Sequence, residues 1–136
     1  MALRTIVTLP APVLRRKARP VTSFGADLQG LIDDMIETMR EAPGVGLAAP
    51  QVAIGERLIV VEYAEPPEEG EEDKVVKPKL YVMANPEIVK ASEETVLGVE
   101  GCLSIPGLVG EVERHTMVQV KGLNRRGQPM KVKAEG

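Results

Sequence analysis

Residues 24–39 read Phe24-Gly25-Ala26-Asp27-Leu28-Gln29-Gly30-Leu31-Ile32-Asp33-Asp34-Met35-Ile36-Glu37-Thr38-Met39. Phe24, Leu28, Leu31, Ile32, Met35, Ile36 and Met39 recur at steps of four, three, one, three, one and three. That is a single apolar stripe on a helix of ~3.6 residues per turn. Asp27, Asp33, Asp34 and Glu37 fall mostly off the stripe. Ser23 is placed to cap the start of this helix, and Pro43-Gly44 to end it. Met35 and Met39 read as flexible core filler, not as ligands. A helix with one apolar stripe must cover an apolar surface, and the rest of the chain offers strands.

Upstream, residues 1–26 hold no acid but lack the apolar or amphipathic pattern of a targeting peptide. Pro10, Pro12 and Pro20 make this an extended segment crossing the surface. Downstream of a glycine-rich stretch at 44–51, residues 57–63 and 79–85 read as strands from their β-branched content. Residues 65–73 are too acidic and proline-containing to pack, and read as an exposed loop. Residues 94–99 and 109–113 look like short strands, and 116–122 alternate well. A turn at 124–127 lets 129–133 pair back as a hairpin. An N-terminal helix followed by antiparallel β-sheets gives an α+β fold on a single domain spanning 1–136.

Composition narrows the function. At 43% hydrophobic residues the 136-residue chain can bury a core and is not a disordered tail. One cysteine excludes an intrachain disulfide framework and fits a reducing compartment, which points to the cytoplasm. Only Cys102 and His115 offer thiol or imidazole, so a four-ligand zinc finger is excluded. No apolar run approaches the ~18 residues needed to span a bilayer. The net charge is −3, yet Glu65, Glu68, Glu69, Glu71, Glu72 and Asp73 outweigh it, leaving the remainder mildly basic. With three Phe and Tyr residues in all, and no basic stripe, a dedicated nucleic-acid site is not expected. Arg15-Arg16-Lys17-Ala18-Arg19 reads as a solvated loop sooner than as a steering patch.

Two stretches do not look like ordinary packing. Gly44-Val45-Gly46-Leu47-Ala48-Ala49-Pro50-Gln51 combines small residues that let another backbone approach with a neutral amide that can donate to an oxyanion. It lacks the third glycine of a nucleotide loop and follows a helix, so taken alone it reads as a turn. Gly98-Val99-Glu100-Gly101-Cys102-Leu103-Ser104-Ile105-Pro106-Gly107 places a cysteine between a glycine and a strand-like run. Alone, Cys102 reads as a small buried hydrophobe. As a nucleophile it would need His115, which reads as a surface histidine at a strand start.

Together the two stretches resemble two of the three signature segments of the peptide deformylase family, in order and some fifty residues apart. Residues 6–21, 33–39, 85–86 and 111–132 add to the likeness, which covers nearly the whole chain. The resemblance implies a metal-dependent hydrolase that removes the formyl group from the N-terminal formyl-methionine of nascent polypeptides, with chains at the ribosome as possible partners. It implies Fe²⁺, with Zn²⁺ or Ni²⁺ as substitutes, held by one cysteine, matched by Cys102, and two histidines. Gln51 and the backbone N–H of Leu103 would stabilise the tetrahedral oxyanion. Gly44, Val45, Gly46 and Gly101 would line the peptide groove, where substrate pairs as an added strand.

The family's third segment, H-E-x-x-H on a later helix, would carry both histidines and the general-base glutamate. It is absent from these 136 residues, which contain a single histidine. The sequence therefore reads as an incomplete domain that lacks the metal-binding C-terminal helix and is inactive alone. The alternatives are a degenerate, non-catalytic paralogue that binds peptide or a partner, and a thiol enzyme using Cys102.

Overall fold

The computed structural model describes residues 2–64 and 78–135. The expected acidic loop at 65–73 lies outside them. Helix α1 (Ala26–Glu41) is the expected helix, and Leu28, Leu31, Ile32, Met35, Ile36 and Met39 of its stripe are buried. Phe24 precedes the helix and packs against the core from outside it. Ser23 does not cap it. The N-cap is Gly25, whose carbonyl accepts from the Gln29 N–H at 3.2 Å, and no side chain caps this end.

Seven strands follow: β1 (Gly46–Ala48), β2 (Leu58–Tyr63), β3 (Lys79–Ala91), β4 (Thr95–Cys102), β5 (Ile105–His115), β6 (Met117–Leu123) and β7 (Pro129–Glu135). Among the described residues five form an antiparallel sheet in the order β1-β2-β3-β6-β7, and β4 pairs only with β5. Antiparallel partners directly opposite one another share a face. Leu47 faces Val60, and Leu58 faces Ala84. All four are buried in one cluster with the α1 stripe. The α+β class is as the sequence implied.

Four strands, β1, β3, β4 and β5, differ most from expectation. The glycine-rich stretch is not a simple turn: residues 46–48 are the sheet's edge strand, and a 3-10 turn follows at Ala49–Val52. Small residues carry little β preference, so only pairing with β2 reveals the strand. β3 continues past Asn85-Pro86 instead of ending there. Asn85 takes a φ of 53°, and a bulge between Ala84 and Glu87 absorbs the proline. The Asn85 side chain accepts the Val21 N–H at 2.7 Å and donates to the Val21 carbonyl at 3.0 Å, acting as one more rung of backbone. β4 and β5 are longer than expected, because Gly98, Gly101, Gly107 and Pro106 mask their pattern.

The N-terminal segment is not confined to the surface. It carries a 3-10 turn at Pro12–Arg15, and Val21 is buried. The Val7 N–H donates to the Gln51 carbonyl at 2.8 Å and the Leu9 N–H to the Ser104 carbonyl at 3.0 Å. The segment thus ties together the two stretches that stood out in the sequence.

Candidate functional site

The turn after β1 folds the Gln51 side chain back on its own strand. Gln51 Oε1 accepts the Ala48 N–H at 3.0 Å. That backbone group can only donate, so the oxygen is committed and the amide nitrogen faces the opposite way. There Nε2 donates to Ser104 Oγ at 3.3 Å and to Cys102 Sγ at 3.7 Å. The amide and the thiol, far apart in sequence, therefore stand side by side.

Cys102 ends β4 and is exposed, so it is not the buried small hydrophobe that composition suggested. Leu103 and Ser104 form the turn into β5. The Leu103 N–H has no backbone acceptor among the described residues. The Leu103 side chain packs against the core. It also explains Gly44, where an added Cβ would lie 3.0 Å from Leu103 Cδ1. Ser104 is 4% exposed and holds both the Gln51 amide and, through its carbonyl, Leu9. Sequence reasoning passed over Ser104 and the Val7 and Leu9 backbone. Ser104 lay inside the quoted motif, whereas backbone partners leave no trace in side-chain identity.

Gly44, Val45, Gly46, Gln51, Gly101, Cys102 and Leu103 all line one open cleft of about 770 Å³, which residues 105–109 close on the far side. No lining side chain is charged. Glu100, two residues before Cys102, is not a base in this cleft. It pairs with Arg114 through bonds of 2.9 and 3.0 Å, and the guanidinium holds its carboxyl below the usual carboxylate range.

His115 stands at the end of β5, not at a strand start. It pairs with Thr95 at the base of the β4–β5 hairpin, whereas Cys102 pairs with Ile105 at the turn. Seven residues at ~3.3 Å each separate the two by more than ~20 Å. The imidazole is exposed, and its Nδ1–H donates to the Ser92 carbonyl at 2.7 Å. This removes the thiol–imidazole pair that the thiol-enzyme alternative needs.

A family model described as polypeptide deformylase matches residues 3–136. The chain belongs to the polypeptide deformylase family. It is 54% identical over all 136 residues to a peptide deformylase of Symbiobacterium thermophilum, of which it spans 58%. It is 47% identical to one of Dehalococcoides mccartyi, of which it spans 74%. A Met-Ala-Ser-bound peptide deformylase from Acinetobacter baumannii superposes with a TM-score of 0.86 at 38% identity, over 99% of this chain and 85% of that one. The deformylase family comprises metal-dependent hydrolases acting on formylated nascent peptides. Among the described residues of this chain, no three His, Cys, Asp or Glu side chains gather as a metal set. One thiol beside a neutral amide does not by itself fit a divalent metal, which takes three protein ligands in a catalytic site.

Proposed function

We propose that this chain supplies the peptide groove, the oxyanion donors and the thiol ligand of a site that removes the formyl group from the N-terminal formyl-methionine of nascent polypeptides in the cytoplasm. The observation that carries this reading is the Gln51 amide donating to Cys102 Sγ at 3.7 Å, at the end of an uncharged cleft. Among the described residues β1 pairs with β2 alone, so its outer edge ahead of Ala48, whose N–H Gln51 takes, is open to an added peptide strand. The Acinetobacter baumannii relative is bound to Met-Ala-Ser, which supports a peptide ligand for this chain.

In this reading the Leu103 N–H and Gln51 Nε2 are positioned before substrate arrives. Nε2 keeps one proton on Ser104 Oγ and turns the other from Cys102 Sγ to the charge that forms as the formyl carbonyl becomes tetrahedral. Gln51 cannot swing away, because Ala48 and Ser104 hold both ends of its amide. Gly44 and Gly46 keep the edge of the groove low, and Val45 supplies its side-chain contact. Gly101 leaves room beside Cys102. Among the described residues no carboxylate or imidazole lines the cleft to activate water, so in this reading the chain binds formylated peptide without turning it over.

The test is calorimetric titration of the chain with formyl-Met-Ala-Ser, together with a formate assay. Saturable binding that weakens in Gln51→Ala, with no formate released, is expected. Formate release at rates typical of an enzyme, ~1 s⁻¹ or more, would show that the residues present suffice. Absence of binding would remove the groove.

A further inference from the structure

Arg15-Arg16-Lys17-Ala18-Arg19 packs four cations into five residues, and the cleft at Gln51 and Cys102 uses none of them. All four are exposed, as the sequence implied, yet the segment is more than a solvated loop. Arg16, Lys17 and Arg19 line a pocket of about 410 Å³ together with Val13, Ala53 and Gly55. This pocket shares no residue with the peptide cleft. Its two walls are joined by backbone. The Arg19 N–H donates to the Gly55 carbonyl at 2.8 Å, and the Arg57 N–H to the Arg19 carbonyl at 2.8 Å. Main-chain bonds therefore set the spacing of the walls, whatever the long side chains do.

The charge of this pocket is unopposed. No acidic residue lines it, and among the described residues Arg15, Arg16, Lys17 and Arg19 form no ion pair. Glu56 is the partner of Arg19 across an isolated bridge, yet it lines a separate pocket with Arg4 and Asp27. The Gly55 N–H adds a donor that has no acceptor among the described residues. Such a set favours an anion with several charged oxygens. Guanidinium groups meet phosphate oxygens two at a time, and an ammonium adds a point charge. No aromatic side chain lines the pocket, so a base would have nothing to stack on. The volume is that of a small-molecule site.

We propose that the Arg16, Lys17 and Arg19 pocket binds a compact polyphosphate group, free or carried by a nucleotide, at a site separate from the peptide cleft. The experiment is calorimetric titration of the chain with sodium tripolyphosphate, a nucleoside triphosphate, sodium sulfate and an oligouridine, all at one ionic strength. Saturable one-to-one binding of tripolyphosphate is expected, at least about tenfold tighter than sulfate. The nucleoside triphosphate should bind within about threefold of tripolyphosphate, since its base finds no contact. Arg16→Ala and Arg19→Ala should each weaken binding about tenfold. Arg126→Ala removes the same charge from an exposed position outside the pocket and should leave the affinity unchanged. Gly55→Glu tests the opposite wall. An added Cβ there meets nothing within 4 Å, so this variant is expected to fold, and its carboxylate should abolish binding. A circular-dichroism melt checks folding of each variant. Equal losses in Arg126→Ala and Arg16→Ala overturn the pocket and leave only attraction to positive charge. A larger gap in the nucleotide's favour overturns recognition through phosphate alone. Oligouridine binding tighter than either phosphate makes the partner a nucleic-acid strand and overturns the compact ligand. Absence of saturable tripolyphosphate binding overturns the site, whatever the peptide titration shows.

Discussion

Helix α1 with its sheet and the β4–β5 hairpin use similar residues to opposite ends. Against the sheet, Ile32, Met35 and Met39 are fully buried beside Leu58 and Val60. On the hairpin, Val96, Leu97 and Val99 are as apolar but stand in water. Both regions satisfy most of their backbone within regular helix or strand hydrogen bonds, so hydrogen bonding does not distinguish them. The difference is a second layer: the sheet has a helix laid on it, and the hairpin has none among the described residues. The candidate site straddles this division. Gln51 follows β1 on the packed side, Cys102 ends β4 on the exposed side, and Ser104, Leu9 and Val7 stitch them together. Position on the packed side is fixed by the core, and on the exposed side by a few hydrogen bonds.

The largest effect should come from the core. Met35→Ala removes a fully buried side chain and should cost about 2–5 kcal/mol. Leu97→Ala, at an exposed position, should change stability by no more than about 0.5 kcal/mol. Urea unfolding of both variants measures the contrast, and equal losses would break it. Next comes Gly122→Ala, where β6 passes close to β3. An added Cβ would lie 2.8 Å from the Ala84 carbonyl oxygen, which belongs to a paired strand and cannot swing aside. A loss of about 1–3 kcal/mol is expected, seen as a lower melting temperature. An unchanged melt would mean that the two strands sit farther apart.

Ser104→Ala should act more gently, and on both sides of the division. It removes the buried acceptor of the Gln51 amide, for an expected cost of about 1 kcal/mol. The informative measurement is nuclear magnetic resonance of the Gln51 side-chain amide, whose two proton signals should move together with the melting temperature. If they stay put, Ser104 is not what orients the amide.

The same division explains what could be read in advance. The α1 stripe was legible because burial at 3.6-residue spacing writes itself into side-chain identity. β2 was legible from its β-branched content, β6 from its alternation at period two, and β7 as the segment that pairs back across the turn at 124–127. The site was legible only as two motifs. Gly44, Gln51, Cys102 and Leu103 could be named, but nothing in their order shows the Gln51 amide pointing at Cys102. That orientation is set by the Ala48 N–H, a group every residue but proline possesses. The 46–48 strand was hidden because glycine and alanine look like turn material until β2 is seen beside them. The hairpin's true length was hidden because its glycines and proline serve the bulge between the Gly101–Val109 and Cys102–Ile105 pairs, whose register slip has no sequence signature. His115 was misplaced for the same reason: shortening β5 to 109–113 moved its end.

The smallest effect tests the exposed side directly. Glu100 and Arg114 lie on neighbouring strands of the hairpin, both partly open to solvent, and Arg114 holds the Glu100 carboxyl below its ordinary value. A lowered folded-state value means that this pair contributes fully above the ordinary glutamate pKa of about 4.3. The contribution is lost as pH falls through the lower, folded value. Solvent screening keeps it small, so global melting is the wrong readout. Carbon-13 titration of the Glu100 carboxyl is the right one. Its midpoint should rise in Arg114→Ala and, less so, in high salt. A midpoint indifferent to Arg114 would mean that the pair does not persist in solution. The hairpin would then be held by its backbone ladder and, at the Cys102 end, by the Leu9–Ser104 and Gln51–Ser104 bonds and the packing of Leu103, with the far half looser than its strand pairing suggests.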